Sequence, residues 1–235
     1  DPHLGDAVGE KLLGLDTDYS LQEVVATVSS ERDVADLLLA TGDIASGGAA
    51  SAYDRFLSTT ADLARQTLWL PGNHDSVANM RAASANHQMD KCVDIGNWRI
   101  VMLNSKTPNA VGGSFSDDEM QFLKQCLNSC DKQHVLLCLH HHPHSVGCDW
   151  LDKQQLTNSS EFLGLMDQHP QIKGVLWGHI HQEIDQFRDT RNGSQVRMMA
   201  TPSTCIQFAA NSANFQLARL NPGYRWFQLL PNWEI

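Results

Sequence analysis

Four short apolar segments of this chain run directly into turns rich in metal-ligating side chains, and this repeated feature restricts the fold more than any other. Leu37–Ala40 leads into Thr41-Gly42-Asp43, and Leu68–Leu70 into Pro71-Gly72-Asn73-His74-Asp75. Val135–Leu139 leads into His140-His141-His142-Pro143, and Val175–Trp177 into Gly178-His179-Ile180-His181. Short apolar runs bounded by turn residues read as buried strands. Helical patterns lie between them, so the first two-thirds of the chain reads as parallel α/β structure. In open α/β sheets ligands collect outside the carboxyl ends of the strands, which predicts that the four turns converge. Gly42, Gly72 and Gly178 precede ligand-type residues and allow the backbone to turn sharply and approach closely.

The remaining pattern fills in one domain over 1–235. Capping boxes at Ser20-Leu21-Gln22-Glu23 and Ser116-Asp117-Asp118-Glu119 predict two helices, the first with Leu21, Val24, Val25 and Val28 on one face. Further helices are expected around Ala52–Ala64 and Ser159–Asp167. Strands are expected also at Trp98–Leu103, Val196–Ala200, Asn214–Leu220 and Tyr224–Leu230, with a turn at Asn192-Gly193. The last forty residues are expected to form an edge or a second sheet.

Composition narrows the function. The net charge of −10 disfavours broad tracking of nucleic-acid phosphates. The longest clear apolar run, Val135–Leu139, falls far short of the ~18–20 residues of a membrane-spanning helix, so no membrane role is expected. Six irregularly spaced cysteines, Cys92, Cys126, Cys130, Cys138, Cys148 and Cys205, complete no zinc-site pattern. They read as reduced, mostly buried thiols of a cytoplasmic protein.

Taken singly, a Gly-Asp turn, an Asn-His-Asp loop or a His-X-His pair is ordinary. Their joint occurrence, in this order and at strand ends, is not. Together with Asp1-Pro2-His3 they form five blocks: Asp1/His3, Gly42-Asp43, Gly72–Asp75, His140 and Gly178–His181. This combination resembles the calcineurin-like metallophosphoesterase superfamily over residues 1–181. Further stretches at His140–Pro143, Gly147–Asp152, Gly178–Glu183 and Ala200–Phe208 are similar to bacterial class III 3′,5′-cyclic AMP phosphodiesterases. The resemblance implies a four-layer αββα sandwich of two mixed sheets flanked by helices. It also implies a strand and short leader ahead of Asp-X-His, where this sequence begins at the first ligand.

The donor set contains two carboxylates, one amide oxygen and four imidazoles. That is too many for one ion and suits two divalent cations; mixed N/O ligation favours Fe or Mn, with Zn possible. The resemblance places Asp43 as the bridge. One metal would then take Asp1, His3, Asp43 and His181, and the other Asp43, Asn73, His140 and His179. The family frame His-His-X-Pro selects His140 as ligand; a frame shifted by one would select His141. His74, beside a ligand without being needed as one, is the expected general acid, with Asp75 orienting its ring. Asn73, His74 and His181 are expected to touch substrate.

The expected reaction is hydrolysis of a small cyclic nucleotide, 3′,5′-cyclic AMP to 5′-AMP, by in-line attack of a metal-bridging hydroxide with His74 protonating the leaving 3′-oxygen. Two alternatives are a broader dinuclear phosphoesterase and a non-catalytic scaffold of the same fold. Loss of ligands would mark the scaffold, and the sequence lacks none of them. Oligomeric state is not legible.

Overall fold

The segment His134–Leu139 has apolar side chains on both faces, and from Val135 onward every one of its residues is buried. A strand with no polar face belongs inside a layered sheet rather than at its surface. The computed structural model, which describes residues 1–84, 87–130, 134–232 and 234–235, places it there.

In chain order the elements are β1 (Lys11–Leu12), β2 (Leu15–Asp16), α1 (Thr17–Glu31), β3 (Leu38–Ala40), α2 (Ala50–Thr60), β4 (Thr67–Trp69), α3 (Val77–Ala83), β5 (Cys92–Ile95) and β6 (Trp98–Met102). There follow α4 (Asp117–Asn128), β7 (His134–Leu139), α5 (Asp149–Asp152), α6 (Ser159–Met166), β8 (Ile172–Trp177), β9 (Ile184–Asp189), β10 (Gln195–Ala200), β11 (Gln207–Phe208) and β12 (Leu217–Ala218).

The main sheet has the order β5-β6-β7-β8-β10-β9. Its four inner strands are parallel, and β5 and β9 join as antiparallel edges, which makes the sheet mixed. β3 and β4 pair in parallel as a second sheet. Alternation along the strands sets the layers. Leu136, Cys138, Leu176 and Met199 face Leu68 and Leu70 in a core between the sheets. Leu137, Leu139, Val175 and Met198 pack against α4 and α6 through Leu123, Leu127, Phe162 and Met166. Trp69 and Ala40 meet Leu21, Tyr53, Phe56 and Met80 from α1, α2 and α3. The result is the αββα order of layers.

Several local expectations are corrected. α1 is capped by Asp16, whose carboxylate accepts from Tyr19 N at 2.9 Å, not by Ser20. Ser20 lies inside the helix and donates to Thr204 O at 2.7 Å. The signal at Ser116 does hold: its hydroxyl accepts from Glu119 N. Asn192-Gly193 turns the β9–β10 hairpin, with Gly193 at φ +83°.

Of Asn214–Leu220 only Leu217–Ala218 enters a ladder, with β11. Tyr224–Leu230 enters none. Its alternating pattern reports one-sided burial instead, since Phe227 and Leu229 pack on the core between the sheets. Arg225 supplies donors there, giving Nη2–H to Ile184 O and Ala200 O, both at 2.9 Å. The sequence pattern also overlooked the β1–β2 hairpin, α3, α5, β5 and β9, which are short, edge-lying or polar. Among the described residues, no helix is long and apolar enough to cross a membrane.

Candidate metal centre

The turns after β3, β4, β7 and β8 meet as expected, and close backbone approach makes this possible. Gly42 has φ +105°, and a Cβ there would lie 2.5 Å from His140 Nδ1 and 2.7 Å from Gly72 N. A Cβ on Gly72 would collide with the Asp43 carboxylate. Four residues with side-chain donors, His3 (φ 49°), Asp43 (50°), His179 (67°) and His181 (48°), hold left-handed backbone conformations. Such conformations cost ~1–3 kcal/mol each outside glycine and persist where the surroundings enforce them.

Two groups of donor atoms result. In the first, His140 Nε2 lies 3.1 Å from Asn73 Oδ1, 3.2 Å from His179 Nδ1 and 3.3 Å from Asp43 Oδ2. In the second, His181 Nε2 lies 3.1 Å from His3 Nε2 and 3.7 Å from Asp1 Oδ1. Asp43 Oδ2 is 3.6 Å from His3 Nε2, so the same oxygen faces both groups.

The tautomers show what fits between these atoms. His140 Nδ1–H donates to Thr41 O at 2.8 Å, which leaves Nε2 as a lone pair pointing at Asn73 Oδ1 and Asp43 Oδ2. His181 Nδ1–H donates to Ile206 O at 2.9 Å, so its Nε2 lone pair faces His3 and Asp1. Imidazole lone pairs converging with amide and carboxylate oxygens form an arrangement that can hold a cation. Burial is the chief cause that lowers His3 to about 3 and drives His179 and His181 well below the usual imidazole range. Burial works to raise the Asp43 carboxyl, but the His140 and His3 imidazoles hold it well below the usual carboxylate range. The donor set, nitrogen and oxygen without thiolate, fits divalent ions of the Mn, Fe or Zn type.

A family model described as calcineurin-like phosphoesterase matches residues 1–183. The chain belongs to the calcineurin-like phosphoesterase family. It is 43% identical over 230 residues to a 3′,5′-cyclic adenosine monophosphate phosphodiesterase, CpdA, of Pseudomonas aeruginosa, covering 97% of this chain and 83% of that one. It is 38% identical over 232 residues to CpdA of Escherichia coli K12, covering 97% and 82%. A 3′,5′-cyclic-nucleotide phosphodiesterase of Nostoc is 34% identical over 235 residues, covering 97% and 85%. Among solved structures, a dimetal phosphatase from Danio rerio superposes with a TM-score of 0.60 at 16% identity, covering 86% of each chain, which shows the shared fold.

Within this calcineurin-like site, the histidine run separates cleanly. His140 points into the donor group. His141 has both nitrogens engaged, Nδ1 with Ser105 Oγ at 2.8 Å and Nε2 with Val111 O at 2.9 Å, although its ring lies close enough to His140 and His179 to group with them. His142 is buried and stacks on His179, rings 5.9 Å apart and 17° from parallel.

His74 is exposed, with Nδ1–H donating to Ser46 O at 2.9 Å and its ring 4.9 Å from that of His3. The expected Asp75–His74 contact is corrected. The buried Asp75 carboxylate accepts instead from Gly72 N at 2.9 Å, Ala45 N at 3.0 Å, Tyr53 Oη at 3.1 Å and Ile44 N at 3.3 Å. It braces the two turns that carry Asp43 and Asn73. Ser46 carbonyl, not a carboxylate, orients His74.

Sequence reasoning also missed supporting residues. Lys106 Nζ donates to Asn73 O at 2.5 Å. Ser203 Oγ donates to Asp1 O at 2.6 Å, while the Asp1 carboxylate accepts from His179 N at 3.0 Å. Ser203 and the buried Cys205 lie in the Ala200–Phe208 stretch, the one signal that could have drawn attention to this support.

Proposed function

We propose that the chain hydrolyses 3′,5′-cyclic AMP to 5′-AMP, using two divalent cations held by Asp1, His3, Asp43 and His181 and by Asp43, Asn73, His140 and His179. The observation that carries this reading is the Asp43 oxygen that faces both donor groups, at 3.6 Å from His3 and 3.3 Å from His140. The substrate is supported by relatives that match nearly the whole chain and are named for cyclic AMP hydrolysis. Fe or Mn is favoured, with Zn possible, on the mixed N/O donor set. When bound, such a pair neutralises phosphoryl charge and makes water a competent nucleophile at neutral pH.

The chain's own residues do the rest. Two carboxylates, Asp1 and Asp43, leave two dications with net positive charge, so the site attracts a phosphodiester anion despite the net −10 of the molecule. In-line attack of water on phosphorus breaks the bond to the 3′-oxygen, which needs a proton. Ser46 carbonyl holds His74 through Nδ1–H, which leaves Nε2 as the atom that delivers it. Asn73 and His181 are the remaining substrate contacts of this reading. The free cysteines support a reducing, cytoplasmic setting.

A broader specificity is the second reading, favoured by the Nostoc relative named for cyclic nucleotides in general. The deciding experiment strips the metals, restores Mn, Fe or Zn, and compares kcat/KM on cyclic AMP, cyclic GMP and bis(p-nitrophenyl) phosphate. Preference for cyclic AMP is expected. Turnover of the p-nitrophenyl diester with none of cyclic AMP overturns the reading.

A further inference from the structure

Three aromatic rings lead from the metal centre to solvent. The Phe208 ring stacks on His181, centroids 4.3 Å apart and planes within 8°. Trp150 meets Phe208 edge-on at 5.0 Å, and Phe215 meets Phe208 at 5.6 Å and Trp150 at 5.3 Å, again edge-on. The outermost ring, Phe215, is 53% exposed.

Core packing does not account for an aromatic side chain more than half in water, yet the chain holds this one in place. Trp150 Nε1–H donates to Ser212 Oγ at 3.3 Å, the buried Cys148 thiol donates to Ser212 O at 3.3 Å, and Ala209 N donates to Gln216 O at 2.8 Å. The loop between β11 and β12 is thereby tied down on both sides of Phe215.

We propose that this wall is a nucleobase subsite, with Phe215, backed by Trp150 and Phe208, stacking the purine of the cyclic nucleotide. The inference rests on the functional reading above. A cyclic nucleotide joins an anionic phosphate to a flat, uncharged heterocycle through one rigid bicyclic sugar. With the phosphate among the imidazoles, the base lies one sugar away, and the ring series starting at His181 is the apolar surface that begins there. Every base presents a π-face, so stacking favours nucleotides over esters without a base.

The test uses the metal-loaded full chain. Phe215→Ala is expected to raise KM for cyclic AMP about 10-fold, within the range that base–aromatic stacking supports, with kcat changed less than about 2-fold. Phe215→Trp should restore KM. Inhibition constants of 5′-AMP and ribose 5-phosphate, read against bis(p-nitrophenyl) phosphate turnover, isolate the base: Phe215→Ala should weaken 5′-AMP and leave ribose 5-phosphate unchanged. Leu220→Ala, at an exposed residue outside the ring series, serves as control. Equal weakening of both inhibitors, or an unchanged KM for cyclic AMP, overturns the subsite. Failure of the wild type to turn over cyclic AMP overturns the functional reading instead, and the inhibitor comparison still decides the subsite.

Discussion

The two donor groups that meet at Asp43 rest on different foundations. His140 follows β7 and His179 follows β8, neighbouring strands of the main sheet in continuous parallel register from Leu136↔Gly174 to Leu139↔Trp177. Asp1 and His3 stand on no ladder; a single bridge, Leu4↔Ala45, follows them. They are held by individual bonds: Ser203 Oγ to Asp1 O, His179 N to the Asp1 carboxylate, and His3 N to Asp43 O at 2.9 Å. His181 follows β8 with His179, so the contrast lies in Asp1 and His3, which a few hydrogen bonds place where a sheet places His140 and His179. The strand-held group is set by the whole core, whereas the loop-held group depends on contacts that single substitutions can remove.

Asp43→Ala gives the largest expected effect, because it abolishes the difference by striking both groups. Metal content should fall for both equivalents, and activity should drop by more than the ~10²–10⁴-fold typical of losing a general acid. Two full equivalents of metal in the purified variant would exclude the bridging role.

His74→Ala removes none of the proposed ligands, although the ring it deletes lies 4.9 Å from that of His3. It should cost ~10²–10⁴-fold on cyclic AMP, whose alkoxide leaving group needs a proton, with metal content near wild type. Bis(p-nitrophenyl) phosphate, whose leaving group needs none, should be spared much of that loss. Equal losses on both substrates would assign His74 to charge stabilisation instead.

Acid should expose the metal-free protein. Burial lowers His3 and His141 to about 3 and His142 to about 4, from an ordinary value near 6.5. Between those values the unfolded chain binds protons that the folded chain refuses, so stability falls as pH drops from about 6.5 toward 3. Each such ring contributes up to ~1.4 kcal/mol per pH unit in that window. Urea midpoints of the metal-free protein at pH 7.5 and 5.5 check this, and equal midpoints would refute it. Metal binding to the native state should raise the midpoint at pH 7.5.

Ser203→Ala gives the smallest effect and the sharpest contrast. It removes one bond to the loop-held group and none to the strand-held one. One equivalent of metal should bind ~10-fold more weakly, the other as in wild type. Competition with a metal-binding dye resolves the two, and equal weakening of both would erase the distinction between the groups.

Much of this site was legible from local pattern. A buried strand needs only a short apolar run, and the donors lie within a few residues of each strand's end. Leu37–Ala40 with Asp43, Leu68–Leu70 with Asn73 and His74, Val135–Leu139 with His140, and Val175–Trp177 with His179 and His181 could therefore be read in isolation. The convergence of their turns followed from parallel pairing.

Tertiary structure decided whatever depends on a partner distant in the chain. His140 rather than His141 faces the donors because Thr41 O takes one ring and Ser105 with Val111 takes the other. Asp75 serves the backbone of the turns that carry Asp43 and Asn73 instead of His74, because four donors from Ile44, Ala45, Gly72 and Tyr53 close around it first. Phe208 lies on His181, and Ser203 on Asp1, 202 residues away in sequence. Tyr224–Leu230 carries a strand's alternation yet joins no ladder, since alternation reports which face is buried and not what lies alongside. Side-chain type and spacing are local properties of a sequence; the choice among competing hydrogen-bond partners is made only when the layers close.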